Sequence, residues 1–149
     1  MHPFLDIRLV PRPLEWIAID PFPPTAGAEC AFIGRTRHET HPTHGELVRL
    51  DYHAYDAMAR RVLEDLAADA IARFDGRAVR LLHALGPVAV GEASVLVQVA
   101  CGHRDASFAA CRMLIDRLKR EAPIWKREVW ADGATWSEGV AVASEDATR

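Results

Sequence analysis

The chain has 149 residues, enough to bury a core without disulfide or metal staples. Half of it is hydrophobic and 26% is charged, which excludes a low-complexity or wholly disordered polypeptide. Eighteen Lys and Arg against 21 Asp and Glu leave a net charge of −3, so broad nucleic-acid binding has no electrostatic support and any basic pocket must be assembled by folding.

Residues 4–10, FLDIRLV, alternate as a short edge strand, and PLEWIAI (13–19) has the proline-first pattern of a brief helix, broken by PFPPTAG. AECAFIG (28–34) predicts a buried strand, followed by the polar loop RTRHETHPTHG. ELVRLDYHAY then places Val48, Leu50 and Tyr52 on one face of a strand. From Asp56 to Phe74, the residues Met58, Val62, Leu66, Ala70 and Phe74 recur four apart, the signature of an amphipathic helix of about five turns. AVRLLHAL and ASVLVQVA predict two strands joined through GPVAVGE, with Val95, Val97 and Val99 alternating in the second. HRDASFAACRMLIDRLKREA predicts a helix with Phe108, Cys111, Ile115 and Leu118 along one side, stopped near Ala122 because Pro123 disfavours helical geometry in the residue before it. KREVW and ATWSEG predict a hairpin around Asp132–Gly133, and residues 140–149 are expected to fray. The order implies a single α/β domain over 1–149, a two-layer sandwich in which helices and sheet bury one face each against the other; a ferredoxin-like topology accommodates much of the same order.

Cys30, Cys101 and Cys111 are odd in number and lack C-x-x-C spacing, so buried thiols are expected and no zinc knuckle or disulfide framework. No basic-then-apolar leader and no 18-residue apolar run is present; the expectation is a soluble cytoplasmic protein with no membrane partner. The histidines of the loop, His38, His41 and His44, lie in a Pro/Gly-containing segment without a nearby cysteine pair, so no metal is expected there. The G-x-x-x-x-G-K-[ST], G-x-G-x-x-G and G-x-S-x-G patterns are absent, which removes the main sequence support for nucleotide hydrolysis, dinucleotide redox chemistry and serine hydrolysis.

The basic residues are more informative. His103 and Arg104 fall between a strand end and a helix start, where free backbone N–H groups and the helix dipole favour an anion. The simpler alternative is that His103 caps the strand end and Arg104 pairs with a surface acid. Lys119 lies four residues after Ile115 and one after Leu118, at the edge of the apolar face. It is either a snorkelling lysine covering the core or a partly shielded amine suited to acid–base or nucleophilic work. Fifteen residues separate Arg104 from Lys119, roughly 22 Å of helix, so one small ligand cannot touch both from one straight helix. Lys126 and Arg127 follow Pro123, Ile124 and Trp125, where a chain reversal would set them beside Lys119. That apolar wedge either shapes a channel or packs a helix end.

Three segments together resemble the large, catalytic subunit family of molybdopterin synthase. AFIGRTR matches the family's F-x-G-x-x-R, LVRLDYHAYDAMA matches its strand-to-helix signature, and ALGPVAVGEASVLVQVACGHRDASFAACRMLIDRLKREAPIWKRE follows its longest pattern. The similarity extends over nearly all of residues 28–136. It implies an α/β hammerhead fold with an additional β-rich portion. It further implies a sulfurtransferase that converts cyclic pyranopterin monophosphate to molybdopterin, with no cofactor of its own. The sulfur would come from the C-terminal thiocarboxylate of a small ubiquitin-like subunit, and a second copy of this chain would form the centre of a heterotetramer. Carried over by motif, Lys119 and Lys126 are the catalytic pair, and Arg35, Thr36, Arg37, His103, Arg104, Arg127 and Glu128 line the substrate region with them. Residues of both large subunits meet at each active site in the family, which reconciles His103 and Arg104 with the length of the helix. The chain departs from the family pattern at His38, where asparagine is frequent, in its histidine-rich loop, and after TWSEG, where VAVAS supplies no basic residue. The alternative expectation is a noncatalytic module binding a small protein tail or an anionic metabolite.

Overall fold

The computed structural model describes residues 2–137; the expected frayed tail and the VAVAS segment lie outside the described residues. In chain order the elements are β1 (Phe4–Val10), β2 (Ala28–Arg35), β3 (Thr40–His41), β4 (Gly45–Ala54), α1 (Asp56–Phe74), β5 (Ala78–Ala84), β6 (Gly86–Ala89), β7 (Ala93–Cys101), α2 (Arg104–Glu121), β8 (Ile124–Trp130) and β9 (Gly133–Trp136). They form a mixed α/β fold of the hammerhead-like kind, with two helices and a curled antiparallel sheet.

The first sheet has the order β1-β5-β7-β2, with β1 parallel to β5 and the other pairs antiparallel. Both helices pack on one of its faces. Leu63, Leu66 and Ala70 of α1 and Leu114, Ile115 and Leu118 of α2 meet Val79, Leu81, Val97 and Val99 of the central strands. Each Leu, Ile or Val among them contributes about 1.5–3 kcal/mol by leaving water. Every residue of β5 and β7 is buried, because the opposite face is covered too. There Leu82, Ala84 and Leu96 pack against Val10, Leu14 and Val88.

The cover includes the segment expected to be a helix at 13–19, which is instead an extended strap. Leu14 bridges Ala93, and the buried Arg80 and Gln98 side chains donate to the carbonyl of Ile17 at 2.9 and 2.8 Å. Arg80 also reaches Asp6 at 2.7 Å and Gln98 Oε1 at 3.0 Å. Side chains sixty or more residues away claim the strap carbonyl that an isolated helix would use internally, and no local pattern announces that.

The second sheet is built on β4, which pairs antiparallel with β3, β6 and β8, while β9 extends β8. The β8–β9 hairpin turns at Asp132–Gly133 as expected, with Gly133 at φ 120°, a backbone angle that favours glycine. Strand β4 departs from simple alternation. Leu47 faces Trp130 but Arg49 faces Val129, so Val48 is an extra residue in a β-bulge. It turns outward (46% exposed), whereas Leu47 and Leu50 are both buried.

Both helices have the expected limits, but two residues placed on their apolar stripes point away. Met58 is 58% exposed and Phe108 64%; Ala59 and Leu63 take the buried positions in α1. Strand β2 lies at the sheet edge and is only partly buried, not fully as expected. No described helix is long and apolar enough to cross a membrane.

Candidate functional site

Helix α2 and strand β8 are joined by one turn of chain, and that turn creates the site. Lys119 sits in the last helical turn, where a cation complements the helix dipole. Ala122 leaves helical geometry at φ −73°, ψ 129°, as the following proline requires. The Pro123 carbonyl accepts the Tyr55 N–H at 3.2 Å, fixing the entry of β8 beside β4. The register then sets Lys126 opposite Tyr52, Glu128 opposite Leu50, and Arg127 opposite Asp51. Alternation puts Lys126 and Glu128 on one face and Arg127 on the other.

Two adjoining hollows meet at the lysines. One, about 240 Å³, is lined by Lys119 and Lys126 with Tyr52, His83, Ser94 and Trp125. The other, about 270 Å³, shares the two lysines and adds Arg35, Arg37, Glu39 and Glu128. Four cations therefore converge in a protein of net negative charge. Lys119, expected at the edge of the apolar face, is exposed, and Lys126 is half-buried. Burial lowers the Lys126 pKa, and the Lys119 charge lowers it further; Glu128 and Glu39 oppose the change. Neither lysine forms an ion pair among the described residues.

The other sequence-predicted residues divide. Arg35 donates to the Gly91 carbonyl at 2.9 Å, and Arg37 pairs with Glu39 at 2.8 Å on the rim. Thr36 is buried between them; its hydroxyl donates to the Val88 carbonyl at 3.4 Å and its N–H to Glu92 O at 3.0 Å, so it shapes the loop from inside. Arg127 is exposed on the opposite face of β8. His103 and Arg104 are exposed at the start of α2, some 22 Å along the helix from Lys119. His103 makes no side-chain cap bond, and Arg104 has no ion pair among the described residues. One chain thus brings together Lys119, Lys126, Arg35, Arg37 and Glu128, and leaves His103, Arg104 and Arg127 apart from them.

Sequence reasoning missed Tyr52, His83 and Ser94 as site residues. His83 lies in the otherwise apolar run LLHAL, where a lone titratable side chain was the available signal. It is 6% exposed, its Nδ1 stands 2.7 Å from the Ala84 carbonyl, and its ring meets Tyr52 edge-on at 4.9 Å. Burial above all, with help from the Lys119 and Lys126 charges, lowers its pKa to about 4. Burial raises the Tyr52 pKa, and a hydrogen bond with Ser94 partly offsets that.

Of the apolar wedge, Ile124 and Trp125 meet the first hollow. Ile124 also packs against the main core, and the Trp125 ring stacks near His53 at 6.0 Å. The histidine-rich loop is ordered by β3 and by His41, whose Nδ1 accepts the N–H groups of Thr43 and His44 at 3.0 and 3.1 Å. Among the described residues no group of three His, Cys, Asp or Glu side chains is placed to hold a metal ion. Burial pushes the Cys111 thiol up to about 12, with Cys30 beside it adding to the shift, so it is not a ready nucleophile.

The MoaE protein family model matches residues 12–121. The molybdopterin synthase catalytic subunit of Bacillus subtilis (strain 168) is 38% identical over 111 residues, covering 74% of this chain and 69% of that protein. That of Nostoc sp. (strain PCC 7120) is 44% identical over 112 residues, covering 74% and 67%. The crystal structure of molybdopterin synthase from Staphylococcus aureus superposes with a TM-score of 0.77 at 28% identity, covering 92% of this chain and 98% of that one. By the family model and by these identities, the chain belongs to the MoaE protein family of molybdopterin synthase catalytic subunits.

Proposed function

We propose that this chain transfers sulfur to cyclic pyranopterin monophosphate, building the dithiolene of molybdopterin, and that the sulfur arrives as the C-terminal thiocarboxylate of a small ubiquitin-like subunit. The observation that carries this reading is the convergence of Lys119 and Lys126, from consecutive elements, on two adjoining hollows whose rim adds Arg35 and Arg37. Both reactants are anionic, and fixed cations in a partly desolvated site hold such groups without reorganising during the reaction. Lys119, exposed on a flexible four-carbon stem, takes the acid–base or acyl-handling role beside the donor's terminal carbonyl. Lys126, shielded and with its charge disfavoured, positions the donor and stabilises developing negative charge. Arg35 and Arg37 hold the substrate phosphate.

His103 and Arg104 serve the site of a second copy of this chain, since α2 keeps them about 22 Å from their own Lys119. The assembly is then a dimer of this chain flanked by two small subunits.

Single-turnover formation of molybdopterin, with a thiocarboxylated small subunit as donor, tests the reading. Product from the native chain and a loss of at least about 100-fold in a folded, complex-forming Lys119→Ala variant is the expected result, about 2.7 kcal/mol of transition-state stabilisation. A proven complex that yields no product from the native chain refutes catalysis and leaves a module that binds the small subunit's tail.

A further inference from the structure

We infer that His83 is a positioning residue of the lysine pair: its imidazole lines the first hollow with Lys119 and holds an unfilled, uncharged acceptor, Nε2, that takes the Lys119 ammonium when that side chain turns inward. The inference rests on the lysine hollow being the site proposed above, and it assigns a task to a side chain outside the basic cluster.

The geometry begins with the backbone. His83 is the sixth residue of β5, between Leu9 of β1 and Val95 of β7 in the sheet register. A carbonyl can only accept, so the 2.7 Å contact with Ala84 O requires the proton on Nδ1. The remaining lone pair is then on Nε2, which has no protein partner among the described residues. The titratable groups facing the ring are Tyr52 from β4, Lys119 from α2 and Lys126 from β8. Of the two ammonium groups, Lys119 acts on the ring more strongly.

Complementarity follows. Lys119 has three donors and no ion-pair partner among the described residues, while His83 has an acceptor and no donor to fill it. The carboxylates near the pair, Glu39 and Glu128, act on Lys126. A carboxylate in place of His83 would hold Lys119 as well but would cancel its charge, weakening the hollow for an anion. A buried imidazole that stays neutral at physiological pH orients the cation and leaves its field intact.

The test has two arms. Nitrogen-15 NMR of the unsubstituted protein should find His83 as the Nδ1–H tautomer, not titrating between pH 6 and 8. The profile of lysine reactivity in trace acylation with acetic anhydride, read by peptide mass spectrometry, should shift toward Lys119 in His83→Leu, because the acceptor that holds its ammonium is gone. His83→Gln, which keeps an acceptor, should restore most of the native profile. Sulfur transfer should fall about tenfold in His83→Leu and recover in His83→Gln. A ring that titrates near its ordinary value, or identical Lys119 profiles in native and His83→Leu proteins, overturns the inference. A shifted Lys119 profile in a protein that transfers no sulfur sinks the proposed function and leaves the His83 assignment standing.

Discussion

Replacing Arg80 by Met tests the claim that a buried cation, and not local helix propensity, sets the path of residues 13–19. Arg80 is 5% exposed and donates to Asp6, Ile17 O, Ala18 O and Gln98 at 2.7, 2.9, 3.3 and 3.0 Å. Removing one partner of a buried ion pair costs about 3–5 kcal/mol, chiefly because the groups left behind are stranded. Asp6 keeps its bond to Arg8 at 2.8 Å, which places the expected loss near the lower end, about 3 kcal/mol. At about 2–4 °C per kcal/mol for a chain of this size, the melting temperature should fall by about 6–12 °C. Urea denaturation gives the free energy directly, with Arg80→Lys recovering less than half because an ammonium cannot reproduce the fork. The pH dependence supplies an internal check. Burial pushes the Asp6 pKa up, but hydrogen bonds from Arg8 and Arg80 outweigh it and leave the carboxyl below its ordinary value. Its contribution is therefore complete above the unfolded pKa and lost as pH falls through the lower folded value, so native and variant stabilities should converge in acid. A loss under about 1 kcal/mol at neutral pH, or a difference that widens on acidification, refutes the reasoning.

Lys126→Met should cut single-turnover transfer at least about 100-fold while leaving stability equal or higher, since it removes a half-buried charge that its surroundings already disfavour; calorimetry and the transfer assay together decide it. Gly34→Ala should lose about 1–3 kcal/mol in urea melts, because a Cβ there would stand 2.6 Å from Val95 Cγ1 on the wall of both hollows. Thr36→Val should cost about 1 kcal/mol by stranding the Val88 carbonyl and leave KM within twofold; a KM raised tenfold would instead make Thr36 a substrate contact.

The parts of the fold legible in the sequence are those whose cause is local. The limits of α1 and α2 follow from periodicity and from Pro123, and the β8–β9 turn follows from Asp132–Gly133. What stayed hidden depends on partners distant along the chain. The strap needs Arg80 and Gln98, the outward turn of Val48 needs a bulge against β8, and β6 exists because β4 has a free edge for residues read as a connection. The site divides the same way. Lys119, Lys126, Arg35 and Arg37 were readable from a family pattern and do converge, whereas periodicity gave Lys119 the shielding that pairing with Tyr52 gives to Lys126. His83 was masked by its apolar neighbours, which make a strand residue look like core even when its ring edges a hollow.

The unequal settings of the two lysines have a consequence for how the site works. Lys126 is fixed by a strand, faces Tyr52, and feels Glu39 and Glu128; its charge is disfavoured mainly by burial and then by Lys119. Lys119 is carried on the exposed end of α2 with no carboxylate partner among the described residues. An anion entering between them relieves the repulsion that each exerts on the other, and the gain is largest at Lys126, where desolvation makes the interaction strong. Ligand charge and lysine protonation are therefore coupled: an anion offsets part of the burial and repulsion that lower the Lys126 pKa. A pair of equally exposed lysines would bind the same anion with little such coupling, since solvent would screen both. The short α2–β8 connection, by half-burying one amine and leaving its neighbour exposed, gives two like charges unlike surroundings.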